Sequence, residues 1–479
     1  MGLDVSHLDS FSQKFPNISS LFQSNGEYGY MKPVFPSVTC TVQASILTGK
    51  YPNEHGIVSN GFFDRENMQT LFWEQSTNLV QSEKIWDKVK NKNSMLKTAM
   101  LFWQNSMYSN NDYVITPRPI HLENGQMDMW CYSKPVNYYE AMIKESGEFN
   151  LMNYWGPFAS IKSSEWITKS VQYTIANHRP NLMHAYFPQL DYSAQKFGKS
   201  STQVIDDLEQ IDTYVGSIIE TVKEAGIFDD THFVLLSEYG FNDVVDAIPI
   251  NRILREKGLL QVRTIKGKEY IDYEYSDAFA MVDHQIAHIY LNDRSNSTST
   301  KAKIKGMLED VSGIDKVCDV EEKKNLYIDH QRSGELIAIA EKDRWFSYYY
   351  WWESGSEGGS EDQNNNNNNN NNNKENSNLD ISKWDENSKA PSFTKTVDIH
   401  RKPGYDPLDL FIDPKRKCIS TNTRLIKGSH GRPFNIDSGE GLSTFVSSKK
   451  IEHVKKDSYN GHPVINCLDI FNIVRKNFE

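Results

Sequence analysis

Apolar and polar positions follow two different periods along this chain. Residues 202–224 carry an apolar side chain every three or four positions, which predicts a long amphipathic helix ended by Gly226. Residues 81–92 and 166–175 predict shorter helices, and apolar runs at 98–103, 182–187 and 233–236 predict buried strands. Alternating strands and helices predict an α/β fold, with a mainly parallel sheet and a site at the carboxyl ends of its strands.

The pattern is less regular from about residue 261 to residue 423. Residues 278–282, 286–291 and 336–340 predict strands, and residues 304–308 predict a helix. Residues 354–377 are of low complexity and include ten consecutive asparagines. Because such a segment has no apolar side chains to bury, we expect a disordered surface loop inserted within one domain.

Length and charge narrow the class of protein. The chain has 479 residues, enough for one large core with an inserted subdomain, or for two to three domains. Its formal net charge of −11 argues against a surface that wraps nucleic acid and against a polybasic membrane patch. A local phosphate site remains compatible with this charge.

Cysteine usage and hydropathy bear on the compartment. The five cysteines are widely spaced and contain no Cys-x-x-Cys pair, so we expect neither a disulfide framework nor a thiolate zinc site. No apolar stretch is long enough to span a membrane, and Met1 is not followed by a signal peptide. These features predict a cytoplasmic location.

Residues 33–57 form the segment richest in candidate chemistry. They read PVFPSVTCTVQASILTGKYPNEHGI, an apolar strand bounded by prolines, then hydroxyl side chains, then a short helix ended by Gly49. A hydroxyl at a helix N-terminus lies where backbone N–H groups point outward, which favours phosphate or a similar anion. With metal ions beside it, such a hydroxyl can become a nucleophile.

This segment resembles, without a gap from Pro33 to Ile57, the nucleophile segment of the type I phosphodiesterases and nucleotide pyrophosphatases, within the alkaline phosphatase superfamily. The resemblance places the nucleophile at Thr39, with Thr41 as the alternative. A role for Thr39 only as a helix cap also stays open. The resemblance makes His55 a structural residue of the following loop.

The resemblance also implies a donor for a developing oxyanion. The family has an asparagine three residues after the nucleophile, and Val42 occupies that position here. The neighbouring amide of Gln43 and the backbone N–H of Cys40 are the remaining candidates.

The resembled family binds two divalent metal ions, usually zinc, on either side of the nucleophile, and manganese is an alternative here. Asp191 holds a carboxylate position, but Gln195 stands where the family has histidine. Glu238 and Tyr239 replace an Asp-His pair. His430, in a Gly-Ser-His-Gly turn, matches the last ligand of the family pattern. A histidine that only forms a hydrogen bond within a turn would give the same sequence pattern.

Three further candidates lie outside the family pattern. Asp283, His284 and His400 could replace the lost imidazoles as metal ligands, because each is a metal-binding residue type near a predicted strand. An ordinary polar role in the core or on the surface is the alternative for each.

The resemblance covers about residues 15–432 and implies an alkaline-phosphatase-like three-layer sandwich with a mainly parallel central sheet. Residues 1–260 and 424–479 would form the catalytic core, and residues 261–423 an inserted cap. The family's first strand ends in an aspartate ligand, and no counterpart precedes Asp4, which is off register. We therefore expect a truncated start.

The implied function is metal-dependent hydrolysis of a small phosphodiester or pyrophosphate-type substrate through a threonine nucleophile. One alternative is a non-catalytic anion-binding protein with a degenerate site. Another is a phosphonate hydrolase or a phosphomutase-like enzyme of the same superfamily.

Overall fold

The computed structural model describes residues 5–124, 126–352 and 389–479. Asp4 and the asparagine-rich insertion at 354–377 lie outside these residues. The α-helices are α1 (Val5–Phe11), α2 (Pro16–Gln23), α3 (Thr39–Thr48), α4 (Pro52–His55), α5 (Ile85–Lys92), α6 (Tyr138–Ser146), α7 (Lys162–His178), α8 (Gln189–Phe197), α9 (Thr202–Glu224), α10 (Ile250–Glu256), α11 (Thr298–Glu309), α12 (Val320–Asn325) and α13 (Asp469–Lys476). Among the residues described, no helix is long and apolar enough to cross a membrane.

Three larger sheets organise the strands, which are β1 (Glu27–Lys32), β2 (Thr98–Leu101), β3 (Tyr113–Pro117), β4 (Cys131–Lys134), β5 (Leu182–Ala185), β6 (Val234–Leu236), β7 (Ala278–Asp283), β8 (Ile286–Leu291), β9 (Ile314–Cys318), β10 (Leu336–Ala340), β11 (Ser443–Ser447), β12 (Asp457–Tyr459) and β13 (His462–Asn466). Their orders are β6-β11-β1-β13-β12, β4-β3-β2-β5 and β7-β8-β10-β9.

Shorter strands pair in twos around these sheets. The pairs are Gly61–Asp64 with Gln69–Phe72, Ile120–His121 with Met127–Asp128, Asn242–Asp243 with Gly428–Ser429, Asp246–Pro249 with Arg344–Ser347, Val262–Ile265 with Lys268–Ile271, and Ile412–Asp413 with Cys418–Ile419.

The first two sheets correct the expectation of a mainly parallel sheet. Only three of their seven strand pairings are parallel, namely β2 with β3, β2 with β5, and β1 with β13. Strand β11, from the C-terminal segment, runs antiparallel to both β1 and β6. The fold is therefore mixed α/β, and the three-layer sandwich stays a prediction.

The third sheet lies within residues 261–423 and is antiparallel throughout. Every residue of β7, β8 and β10 is buried, which explains why these strands read as continuous apolar runs rather than as alternating patterns. A large apolar cluster surrounds this sheet, and a second one joins α3 to β2, β3 and β5. The division into core and cap stays a prediction.

Most predicted elements are present. The helix predicted over 202–224 and the strand predicted over 336–340 are both present with the predicted bounds. The helix predicted over 81–92 begins only at Ile85, because Lys84 is extended and takes the N-cap position. Strands β5 and β6 lead at their carboxyl ends toward Asp191 and Glu238, which brings two predicted site residues to one region.

Candidate active site

Thr39 is the first residue of helix α3. The N-cap is Val38, which is extended and has no side-chain cap bond, so the structure does not support a capping role for Thr39. The helix ends where Gly49 adopts a left-handed conformation with φ of 64°, a backbone geometry that glycine allows without strain. All ten residues of α3 are buried, so the Thr39 hydroxyl lies inside the protein at the positive end of the helix dipole.

The turn that carries His430 holds the loop before Thr39 in place. The backbone N–H of Ser37 donates to Gly431 O at 3.3 Å, and its hydroxyl donates to Arg432 O at 2.6 Å. His430 Nδ1 lies 2.7 Å from Ser37 O, and because a carbonyl only accepts, Nδ1 carries the proton. His430 Nε2 is therefore an unprotonated nitrogen facing the site.

Tyr239 connects Thr39 to Asp191. Its hydroxyl lies 3.0 Å from Thr39 Oγ1 and donates to Asp191 Oδ1 at 3.0 Å. Either oxygen could be the donor between Thr39 and Tyr239, and the Thr39 hydroxyl also interacts with the Glu238 carboxyl group. Burial raises the pKa of Tyr239 well above its ordinary value, so this side chain is a neutral phenol.

Gln195 is held between Asp191 and Tyr405. Its Nε2 donates to Asp191 Oδ2 at 2.6 Å, and its Oε1 accepts from the Tyr405 hydroxyl at 3.0 Å. A carboxylate accepts and cannot donate, so the neighbours determine which end of the amide faces Asp191. Gln195 therefore presents an N–H, rather than a ligand oxygen, to Asp191.

Glu238 follows strand β6 and faces Gln43. Its Oε1 accepts from Gln43 Nε2 at 2.5 Å, while Oε2 has no hydrogen-bond partner among the described residues. Burial raises the pKa of Glu238 to about 8, so its carboxyl group is largely protonated at neutral pH. Burial also raises the pKa of Asp191.

The two predicted oxyanion donors are already engaged. Gln43 uses its amide N–H on Glu238, and its Oε1 accepts from the Gln104 backbone N–H at 2.8 Å. The backbone N–H of Cys40 donates to Asn60 Oδ1 at 2.9 Å. A bound anion would have to displace Asn60 from the Cys40 N–H, or use the second N–H of the Gln43 amide.

Four rings lie one against the next across the site, with the outer two pairs stacked and the middle pair, His430 and His284, tilted by 34°. Tyr239 and His430 have centroids 3.6 Å apart, His430 and His284 3.8 Å, and His284 and Tyr405 3.9 Å. Asp283 orients His284, since its Oδ1 lies 2.7 Å from His284 Nδ1. We refer to these four side chains as the ring stack.

Asp283 is a hydrogen-bonding centre rather than an isolated carboxylate. Its oxygens accept from the Ser59 hydroxyl at 2.5 Å, from the Asn60 backbone N–H at 2.9 Å and from Asn60 Nδ2 at 3.1 Å. Through Asn60 it is connected to Cys40, and through His284 to the ring stack. One buried aspartate thus joins the start of α3 to the third sheet.

The remaining predicted residues lie in different surroundings. His400 is exposed, and its Nδ1 lies 2.9 Å from Phe72 O. Thr41 is buried, and its hydroxyl has no partner among the described residues. Two contributors, Asn60 and Tyr405, were not identified from the sequence, although both are polar residues in turns near predicted motifs.

The chemistry of the candidate metal-ligating side chains shows whether two metal ions would fit this site. Both oxygens of Asp191 accept hydrogen bonds from protein, Gln195 presents an N–H, and Tyr239 is a neutral phenol. Zinc sites use three or four thiolate, imidazole or carboxylate ligands, and no group of three such side chains within the described ranges could hold an ion. The residues that the structure describes do not fit the implied pair of metal ions.

Sequence comparisons relate this chain to phosphodiesterases. It is 26% identical over 243 residues to an uncharacterized pyrophosphatase/phosphodiesterase of Schizosaccharomyces pombe, covering 48% of this chain and 41% of that protein. It is 25% identical over 297 residues to ectonucleotide pyrophosphatase/phosphodiesterase 1 of Saccharomyces cerevisiae, covering 59% and 36%. The chain thus spans less than half the length of these relatives.

Structural comparison supports the fold. Phosphonoacetate hydrolase from Sinorhizobium meliloti 1021, solved in complex with phosphonoformate, has a TM-score of 0.58 and 14% sequence identity to this chain. The match covers 100% of this chain and 94% of that one, so the shared architecture extends over both.

A family profile matches residues 2–406, which include Thr39, Asp191, Gln195, Glu238 and Tyr239. The profile describes hydrolases that act on phosphoric ester bonds. The matched region also includes the segment from Pro33 to Ile57. The chain belongs to the type I phosphodiesterase / nucleotide pyrophosphatase family.

Proposed function

We propose that this chain hydrolyses a small phosphoric ester and that Thr39 is the nucleophile. One observation carries the proposal: the Thr39 hydroxyl, at the N-terminus of α3, is linked through the Tyr239 phenol to the Asp191 carboxylate. A hydroxyl needs a base to attack phosphorus, and this link gives its proton a path to one. Family membership supplies the substrate class.

In the first step, Thr39 Oγ1 forms a bond to phosphorus as the bond from phosphorus to the leaving oxygen breaks. The Thr39 proton passes to the phenolic oxygen of Tyr239, while the phenolic proton passes to Asp191. Glu238 is protonated at neutral pH and gives its proton to the leaving oxygen. The two carboxyl groups thus have opposite roles because their surroundings differ.

In the second step, water attacks the phosphorus of the phosphothreonine. Glu238, now ionised, takes the proton from water, and the bond from phosphorus to Thr39 Oγ1 breaks. Asp191 returns its proton through Tyr239 to Thr39. Each side chain then has its starting protonation state, and one ester bond has been hydrolysed.

The test is turnover of bis(p-nitrophenyl) phosphate by the full chain and its variants. Thr39→Ala should lower kcat/KM at least ~100-fold, and Thr39→Ser, which retains a hydroxyl, should keep more activity than Thr39→Ala. Tyr239→Phe should lower kcat about 10-fold to 100-fold with a smaller change in KM, since it removes only the proton path.

Thr41→Ala is the matched control for Thr39→Ala. It removes the same hydroxyl two residues along α3, where that group has no partner among the described residues. Retained turnover in Thr41→Ala supports the assignment of Thr39. If turnover survives in Thr39→Ala and is lost in Thr41→Ala, the nucleophile is Thr41 instead.

A second candidate function is phosphoester binding without turnover. The burial of Thr39, whose exposed fraction is 3%, favours it, because substrate can reach the hydroxyl only if neighbouring groups move. Saturable binding of bis(p-nitrophenyl) phosphate by the wild-type chain, with no product released, would support this function over hydrolysis.

A further inference from the structure

We infer that hydrogen bonds and the ring stack take the place of metal ions in this site, and that Gln195 is the residue that prevents Asp191 and His430 from binding one. The inference concerns metal binding alone. It therefore holds or fails independently of whether the chain turns over an ester.

The first step of the argument is the state of Asp191. Its Oδ1 accepts from Tyr239 and its Oδ2 accepts from Gln195, so both oxygens already have donors. Each oxygen keeps one further lone pair, so a metal ion there would share that oxygen with a buried donor and would have to approach beside it.

The second step is the orientation of Gln195. A metal beside Asp191 would meet the Nε2 group of this amide, and N–H groups repel cations. Turning the amide over would place its oxygen against the Asp191 carboxylate, and would point its NH2 group at the Tyr405 hydroxyl. That arrangement replaces an attraction by a repulsion, so the observed orientation is strongly preferred.

The third step excludes a replacement site built from His284 and His430. Both Nε2 atoms are buried without partners among the described residues, as a ligand would be before metal binds. However, the two ring centroids are only 3.8 Å apart and the ring planes are tilted by 34°. Because the ligating lone pair lies in the plane of its ring, two rings that lie one over the other are poorly placed to direct both lone pairs toward one ion.

The fourth step identifies the smallest change that would create a metal site. Asp191 and His430 are close, with Asp191 Oδ1 3.8 Å from His430 Nε2, and Gln195 contacts the other oxygen of Asp191. Three protein ligands are sufficient for a zinc site that keeps an open position. A ligating side chain at position 195 would therefore complete one three-ligand site, without any change at Glu238 or Tyr239.

The experiment measures zinc per chain by inductively coupled plasma mass spectrometry after incubation with zinc and gel filtration. The full wild-type chain should retain less than about 0.1 zinc, and Gln195→His should retain about one. Zinc should also raise the melting temperature of Gln195→His, because an ion that binds only the folded state stabilises it, and should leave that of the wild type unchanged.

Two further variants make the result decisive. Gln195→Glu supplies a carboxylate of nearly the same shape, so it tests the inference if the imidazole does not fit the buried space. Gln172→His is the matched control, since it introduces the same imidazole in a half-buried position on α7, away from Asp191.

Retention of about one or two zinc ions by the wild type would overturn the inference. It would also be overturned if Gln195→His and Gln195→Glu both fold, by circular dichroism, yet retain no more zinc than Gln172→His. A gain confined to the variants at position 195 supports it. An ester assay on the same wild-type sample reports separately on the proposed hydrolysis.

Discussion

The nucleophile segment and the side chains that face it differ in how closely they follow the family pattern. From Pro33 to Ile57 the sequence matches without a gap, and the structure places Thr39 at the start of a buried helix. Opposite it, Gln195, Glu238 and Tyr239 replace expected ligands and bond to one another or to neighbouring residues. The helix that carries Thr39 and the side chains that face it belong to different elements, so the side chains can differ from the family pattern while the helix keeps its position.

The connection between these two regions should be the most sensitive to mutation. Asp283→Ala removes an acceptor for the Ser59 hydroxyl, for two N–H groups of Asn60 and for His284. Since several buried donors then lose their partner, we expect the free energy of unfolding to fall by about 3–5 kcal/mol. Urea denaturation followed by circular dichroism measures this change.

Asp206→Ala is the control for that loss, because Asp206 is exposed on α9 and should change stability by less than about 0.5 kcal/mol. Equal effects of the two substitutions would show that Asp283 does not connect the nucleophile helix to the third sheet.

Substitution of Glu238 should have an effect of intermediate size on the free energy of unfolding, and this effect should depend on pH. Burial raises the pKa of Glu238 from 4.5 to about 8, so the folded chain keeps a proton that the unfolded chain releases. This group therefore stabilises the fold most below pH 4.5, and its contribution is lost as the pH rises toward 8. Glu238→Gln should remove that dependence and keep the Gln43 contact.

The measurement is the free energy of unfolding of wild type and Glu238→Gln at pH 5.5 and pH 8. The difference, variant minus wild type, should become more positive by on the order of a few kcal/mol at the higher pH. The same difference at both pH values would mean that Glu238 is not the buried acid that its surroundings indicate.

Within the segment from Pro33 to Ile57, the loss of a single neutral hydrogen bond should have the smallest effect on stability of the three changes. Ile57 N donates to His55 Nδ1, so His55 Nε2 carries the proton and donates to Ser45 Oγ at 2.8 Å. Burial lowers the pKa of His55 to about 3, which keeps the ring neutral. Ser45→Ala removes one neutral hydrogen bond, and we expect a loss of about 1–2 kcal/mol in the free energy of unfolding.

Ser164→Ala is matched to Ser45→Ala. Ser164 is also buried in a helix, but its hydroxyl has no partner among the described residues, so the substitution should be nearly neutral. If the two variants lose equal stability in the same urea titration, the bond between Ser45 and His55 contributes nothing beyond side-chain packing.

Local sequence was enough to predict the bounds of two elements. The bounds of α9 follow from its apolar spacing, and those of β10 from a continuous apolar run in which every residue is buried. The start of α5 could not be predicted in this way. The backbone N–H of Gln81 donates to His55 O, a residue remote in sequence, and the helix begins after that contact.

The sequence by itself predicted that a hydroxyl begins a short helix and that Asp191 and His430 accompany it, and its resemblance to the family implied that Gln195, Glu238 and Tyr239 differ from the family's ligands. Only the tertiary structure decided what the replacements do. The orientation of the Gln195 amide depends on Tyr405, 210 residues away, and the Tyr239 phenol bridges Thr39 and Asp191 across the site. Hydrogen bonds depend on the position and direction of both partners, and residues far apart in sequence acquire these only when the chain has folded.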